Sequence, residues 1–132
     1  MIFLKNKIVL RVINSEYLFA VAENFEKEII FEEKSVKVTV PEGFYTDMAS
    51  VPKALWFWIA PFGKHQEAAL IHDYLYANSG LLLGLERKLT RKESDQLFYE
   101  IMKKDGTNKV KARIMKWSVN LFGWLFWEKN KK

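Results

Sequence analysis

Residues 68–78 read AALIHDYLYAN and place an imidazole and a carboxylate side by side, His72 and Asp73, in an otherwise apolar stretch. A neutral imidazole can take a proton from water, and a carboxylate can hold a cation or orient a neighbouring imidazole. At helical spacing Ala69, His72, Asp73 and Tyr76 share one stripe, while Leu70, Ile71, Tyr74 and Leu75 make the other faces apolar. A helix apolar on nearly all sides is buried on nearly all sides. Each polar group in it must then meet a partner, a metal or water, because an unpaired buried charge costs several kcal/mol. The pair is either a structural hydrogen-bonded unit or a unit of chemistry.

Two further carboxylates bear on that choice. Asp95 shares a stripe with Phe98 and Met102, so it is another acid on a face that should point inward. It is a natural partner for His72 if two helices pack antiparallel across the loop 79–89; alternatively it complements a helix dipole near its N-terminus. Asp47, in GFYTDMASVP, either joins the same site or serves a turn ahead of Ser50-Val51-Pro52. An imidazole oriented by one carboxylate and flanked by two others meets the needs of calcium-assisted hydrolysis. The oriented imidazole activates water, and a hard cation held by oxygen ligands polarises a carbonyl.

The elements that must position these residues divide the chain in two. Residues 2–45 are rich in β-branched and aromatic residues, with alternation clearest over Val36-Lys37-Val38-Thr39-Val40 and turn-like breaks at Asn14-Ser15 and near Glu23-Asn24. They predict three or four antiparallel strands. Ser50-Val51-Pro52 suits the start of a short aromatic helix. Three longer helices follow, over about 64–78, 90–105 and 108–123; the second opens on a capping box, Thr90-Arg91-Lys92-Glu93, and stops at Asp105-Gly106. Strands first and helices last make an α+β class. At 132 residues, 49% hydrophobic and 15% aromatic, the chain is expected to form a single domain over 1–132.

Composition narrows the chemistry further. With no cysteine, neither a disulfide nor a thiolate metal site can form, so any metal binds through oxygen or imidazole. The N-terminus MIFLKNKIVLRV lacks the marks of a signal peptide, and the longest apolar run, ALWFWIAPF, is far short of the roughly 20 residues that span a bilayer. Residues 108–132 carry seven Lys/Arg and one Glu, net +6, whereas residues 1–107 carry fourteen positive and fifteen negative charges, net −1. All of the positive excess lies in the C-terminal fifth. There KWSVNLFGWLFWEKNKK combines Trp117, Phe122, Trp124, Phe126 and Trp127 with lysines, a mix suited to a membrane interface. The plainer reading packs Val119 and Phe122 in the core and leaves the lysines in solvent. No nucleic-acid recognition motif accompanies the basic tail, so nucleic acid is not an expected partner.

Four blocks in order, VPEGFYTDMASVPKALW, AALIHDYLYA, SDQLFYEIM and WSVNLFG, closely resemble the phage-associated family called domain of unknown function 1353, over roughly residues 40–123. That resemblance implies a bacteriophage or prophage origin, with a place in the host cytoplasm or the virion and virion proteins as partners. More distantly, the same blocks resemble the small prokaryotic secreted phospholipases A2: Thr46-Asp47, then His72-Asp73 with Tyr76, then Asp95 with Phe98, then Val119 with Phe122-Gly123. This second resemblance implies a phospholipase A2-like helix pair, with His72 as the base that activates water and Asp95 as its orienting partner. It further implies Asp73, Asp47 and the Met48 carbonyl as calcium ligands, and Tyr76 as hydrogen-bonding support. The chain departs from those enzymes in having no disulfides and an added strand region over residues 1–40.

Three functions from different classes fit. The first is a calcium-dependent lipid ester hydrolase, and the second a non-catalytic phage structural or assembly protein on the same scaffold. The third is a metal-dependent phosphohydrolase that uses His65 as a second histidine, but His65 precedes His72 by about 10 Å along one helix axis.

Overall fold

Alternation over Val36–Val40 does what a half-buried strand requires: Val38 and Val40 are fully buried while Lys37 faces solvent. Their partner strand presents Phe25 and Ile29 to the same interior, in the antiparallel register Phe25↔Val40, Lys27↔Val38 and Ile29↔Val36. These two strands are β4 (Phe25–Phe31) and β5 (Lys34–Val40). The computed structural model describes residues 2–3, 8–12, 19–46 and 66–130. Within them β1 (Ile2–Phe3), β2 (Ile8–Val12), β3 (Phe19–Val21) and β6 (Tyr45–Thr46) form an antiparallel sheet in the order β1-β2-β3-β6. The β4–β5 hairpin is therefore inserted between the paired strands β3 and β6. The helices are α1 (Gln66–Ala77), α2 (Arg91–Lys104) and α3 (Lys109–Asn130). The fold is α+β, strands first and helices last.

One of the two expected turns in the strand region can be followed. The break near Glu23-Asn24 separates β3 from β4, whereas Asn14-Ser15 and the short aromatic helix after Ser50 lie outside the described residues. A tight turn at Glu32-Glu33 had no sequence signal. Both residues take positive φ, 50° and 67°, the left-handed pair that a two-residue hairpin loop needs and that Asn-Gly usually supplies. The third helix also differs from expectation. It runs on to Asn130 instead of stopping near 123, because one interior glycine, Gly123, weakens a helix by only about 1 kcal/mol and does not break it.

The helices bury their apolar faces against the hairpin and one another. Ala68, Ala69, Leu70, Ile71 and Leu75 of α1, Leu97, Phe98, Ile101 and Met102 of α2, and Ala112, Met115 and Val119 of α3 join Phe25, Ile29, Val38 and Val40 in one core. Lys27 lies on the inward face of β4, and its ammonium bonds both Glu67, in the first turn of α1, and Asp105, at the C-cap of α2. Burial disfavours that charge, but the two carboxylates outweigh it and hold the Lys27 pKa above its ordinary value. Joining the start of α1 to the end of α2 fixes the two helices antiparallel. No helix among the described residues is long and apolar enough to cross a membrane.

At the N-terminus of α2 the capping box is complete: Glu93 N–H donates to Thr90 Oγ1 and Thr90 N–H to Glu93 Oε1. Arg87 adds a forked pair to Glu93, at 3.0 and 2.6 Å, and reaches Glu32 at the hairpin tip. The Arg87 bonds, followed by the Thr90 amide, pull the Glu93 pKa from 4.5 to about 2. A carboxylate whose pKa is depressed by folding stabilises the fold fully above its unfolded value and loses that contribution as pH falls. Wild type should therefore melt above Glu93→Gln at neutral pH, with the gap closing between pH 4.5 and about 2. Added salt should narrow the gap too, since the pair is exposed. A gap independent of pH across thermal melts would contradict this.

Candidate functional site

An antiparallel α1–α2 pair brings the later turns of the first helix over the first turns of the second. His72 and Tyr76, one turn apart on α1, thus face Asp95 on α2, 23 residues from His72 in the chain. His72 Nε2 lies 2.8 Å from Asp95 Oδ1, and Tyr76 Oη donates to the same oxygen at 2.6 Å. The imidazole packs between the rings of Tyr76 and Phe98, with centroids 4.3 and 4.6 Å away. His72 is 4% exposed, Tyr76 5% and Asp95 0%, so the unit is all but closed to solvent.

Protonation states follow from donor and acceptor chemistry. An ionised carboxylate only accepts, so Nε2 carries a proton and, in neutral His72, the lone pair falls to Nδ1. Nδ1 is therefore the nitrogen able to act as a base. Burial, then the hydrogen bond to Asp95 and its charge, push the Tyr76 pKa well above its ordinary value. The phenol remains a neutral donor across the working range of pH.

The other carboxylate oxygen has a different environment. Asp95 Oδ2 is buried and meets no hydrogen-bond donor among the described residues; the guanidinium of Arg91, one turn earlier on α2, comes within 3.9 Å of it. Arg91 Nη1 also donates to the Asn120 carbonyl of α3 at 3.2 Å. One cation therefore offsets the buried charge and ties it to the third helix. Sequence reasoning missed Arg91, although its i,i+4 spacing from Asp95 was visible.

The remaining expected site residues are placed only in part. Asp73 is half-buried on α1 beside His72. Asp47, Met48 and His65 lie outside the described residues. Among the described residues no group of three or more His, Asp or Glu side chains could hold a metal ion.

A family model described as "Protein of unknown function (DUF1353)" matches residues 23–119, which spans the hairpin and all of the His72–Tyr76–Asp95 unit. The chain belongs to the DUF1353 family. No curated protein and no solved structure gives a significant match. The DUF1353 description names no activity, and chemistry resides in the site rather than in the family or fold.

Proposed function

We propose that this DUF1353 chain is a phage or prophage hydrolase with a phospholipase A2-like helix pair and a calcium-dependent ester-cleaving site. The observation that carries the proposal is the shared oxygen: Asp95 Oδ1 takes both His72 Nε2 and Tyr76 Oη. A carboxylate fixed on the far nitrogen sets the tautomer that leaves Nδ1 basic and stabilises the imidazolium that forms on proton uptake. Tyr76 restrains the carboxylate, and Arg91 balances its charge. In the reaction His72 Nδ1 removes a proton from water as the oxygen bonds to the ester carbonyl carbon. The imidazolium then returns the proton to the departing alkoxide as the C–O bond breaks.

Asp73 and Asp47, with the Met48 carbonyl, would hold the cation. Their donors are all hard oxygens, the set calcium prefers, with the rest of its shell left to water. When bound, calcium would polarise the ester carbonyl and offset the negative charge that develops on it.

The test is fatty-acid release from phospholipid vesicles with calcium and with chelator. Wild type should release fatty acid only with calcium, and His72→Ala should lower the rate by about 10²–10⁴-fold. Equal release by both proteins, or none by either, sinks the proposal. The near-complete burial of His72 and Asp95 favours one second reading, a non-catalytic phage structural or assembly protein in which the same unit is a core hydrogen-bond network. Stoichiometric presence in purified virions without hydrolysis would support that reading.

A further inference from the structure

Helix α3 buries one face and leaves an apolar stripe on another. Ala112, Met115, Ser118 and Val119 point into the core. Val110, Ile114 and Trp117, at i, i+4 and i+7, are 63%, 37% and 64% exposed. Single exposed apolar residues are ordinary, but three aligned along a helix form a patch, and an exposed indole is the least ordinary member of it. Basic residues border the stripe on both sides: Lys109 and Arg113 on one, Lys111 on the other, all exposed. No acid interrupts the sequence between Asp105 and Glu128.

We infer that this face of α3 docks on an anionic phospholipid surface. Apolar side chains flanked by cations suit a helix lying at the headgroup boundary, where an indole keeps its ring in the acyl region and its N–H among polar groups. A second copy of the chain is the weaker occupant, because pairing through this face would oppose Lys109, Lys111 and Arg113 to like charges, within a segment of net +6. An anionic surface instead gains from each of these cations. The sequence had pointed to residues 116–132; the exposed face begins a turn and a half earlier, at Val110. Docking would supply the lipid surface that the function proposed above requires and in that purpose rests on it, but the binding itself needs no turnover.

The full chain is sedimented with vesicles of phosphatidylcholine alone and of equal parts phosphatidylcholine and phosphatidylglycerol, in chelator. Binding should require phosphatidylglycerol and weaken with added salt. Arg113→Gln should weaken it about fivefold, and Trp117→Ser about tenfold or more, with the circular dichroism spectrum unchanged. His72→Ala should bind as wild type. No preference for phosphatidylglycerol, or full binding by Trp117→Ser and Arg113→Gln, overturns the inference. So does a solution dimer that Trp117→Ser dissociates. Binding without hydrolysis keeps the docking face and removes the hydrolase reading; hydrolysis of dispersed short-chain phospholipid without vesicle binding does the reverse.

Discussion

Asp95→Asn is expected to lower calcium-dependent ester hydrolysis by about 10³–10⁴-fold while the chain still folds. Asn is the same size as Asp but has one accepting oxygen, one donating nitrogen and no charge. If its oxygen takes the place of Oδ1, His72 and Tyr76 keep their bonds, but the imidazolium loses the negative charge that stabilises it. If its amide nitrogen takes that place, His72 must present a lone pair at Nε2 and carry its proton on Nδ1, where it can no longer accept one from water. Either orientation disables the base. The amide also meets Arg91 without the charge that the guanidinium balanced. Asp95→Ala goes further, taking from His72 Nε2 and Tyr76 Oη the carboxylate they share in the core, and should cost on the order of 3–5 kcal/mol of stability. Initial rates with calcium separate the two effects from denaturant melts of the same proteins. A wild-type rate in folded Asp95→Asn would mean that the carboxylate does not act through His72.

Gly80→Ala is expected to be among the most damaging single-methyl additions in the chain, on the order of 3 kcal/mol or more. Gly80 has φ +91°, beyond what an L side chain adopts without strain, and an added Cβ would lie 1.9 Å from the Leu89 carbonyl oxygen. That neighbour is backbone and cannot swing aside. The closeness has a purpose: Leu89 N–H donates to the Gly80 carbonyl at 2.9 Å, and Gly80 N–H caps α1 by donating to Leu75. Gly80 and Leu89 thus clasp the loop between α1 and α2. Nearby, Leu83 accepts from Thr39 N–H of β5, so the same loop is tied to the sheet. Opening the clasp would loosen the α1–α2 pairing that joins His72 and Tyr76 to Asp95. Urea melts should show the loss in midpoint, with Gly43→Ala as the contrast, since an added Cβ there meets nothing within 4 Å. A midpoint for Gly80→Ala equal to that of Gly43→Ala would refute the clasp.

Features set by neighbours in the chain were legible without coordinates. The capping box at Thr90 and Glu93, the alternation that buries Val38 and Val40, and the stripe that carries Asp95 inward with Phe98 and Met102 each depend on a few adjacent residues. Features set by opposition to local preference were not. Glu32-Glu33 makes a left-handed turn that neither residue favours, within the 7-residue pairing of β4 and β5 and with Arg87 reaching Glu32. Gly123 lies inside a helix that its own propensity would weaken.

The sequence by itself determined which groups must find partners: His72 and Asp95 fall on faces too apolar to leave them in water, and periodicity alone says so. Only the tertiary structure decided how that need is met. One oxygen of Asp95 serves both His72 and Tyr76, and the other faces Arg91, which also holds α3. Contacts between residues far apart in the chain depend on the relative placement of whole helices. That placement is held by the shared apolar core together with the Gly80–Leu89 clasp and Lys27 bridging Glu67 and Asp105, contacts between residues that no local pattern pairs.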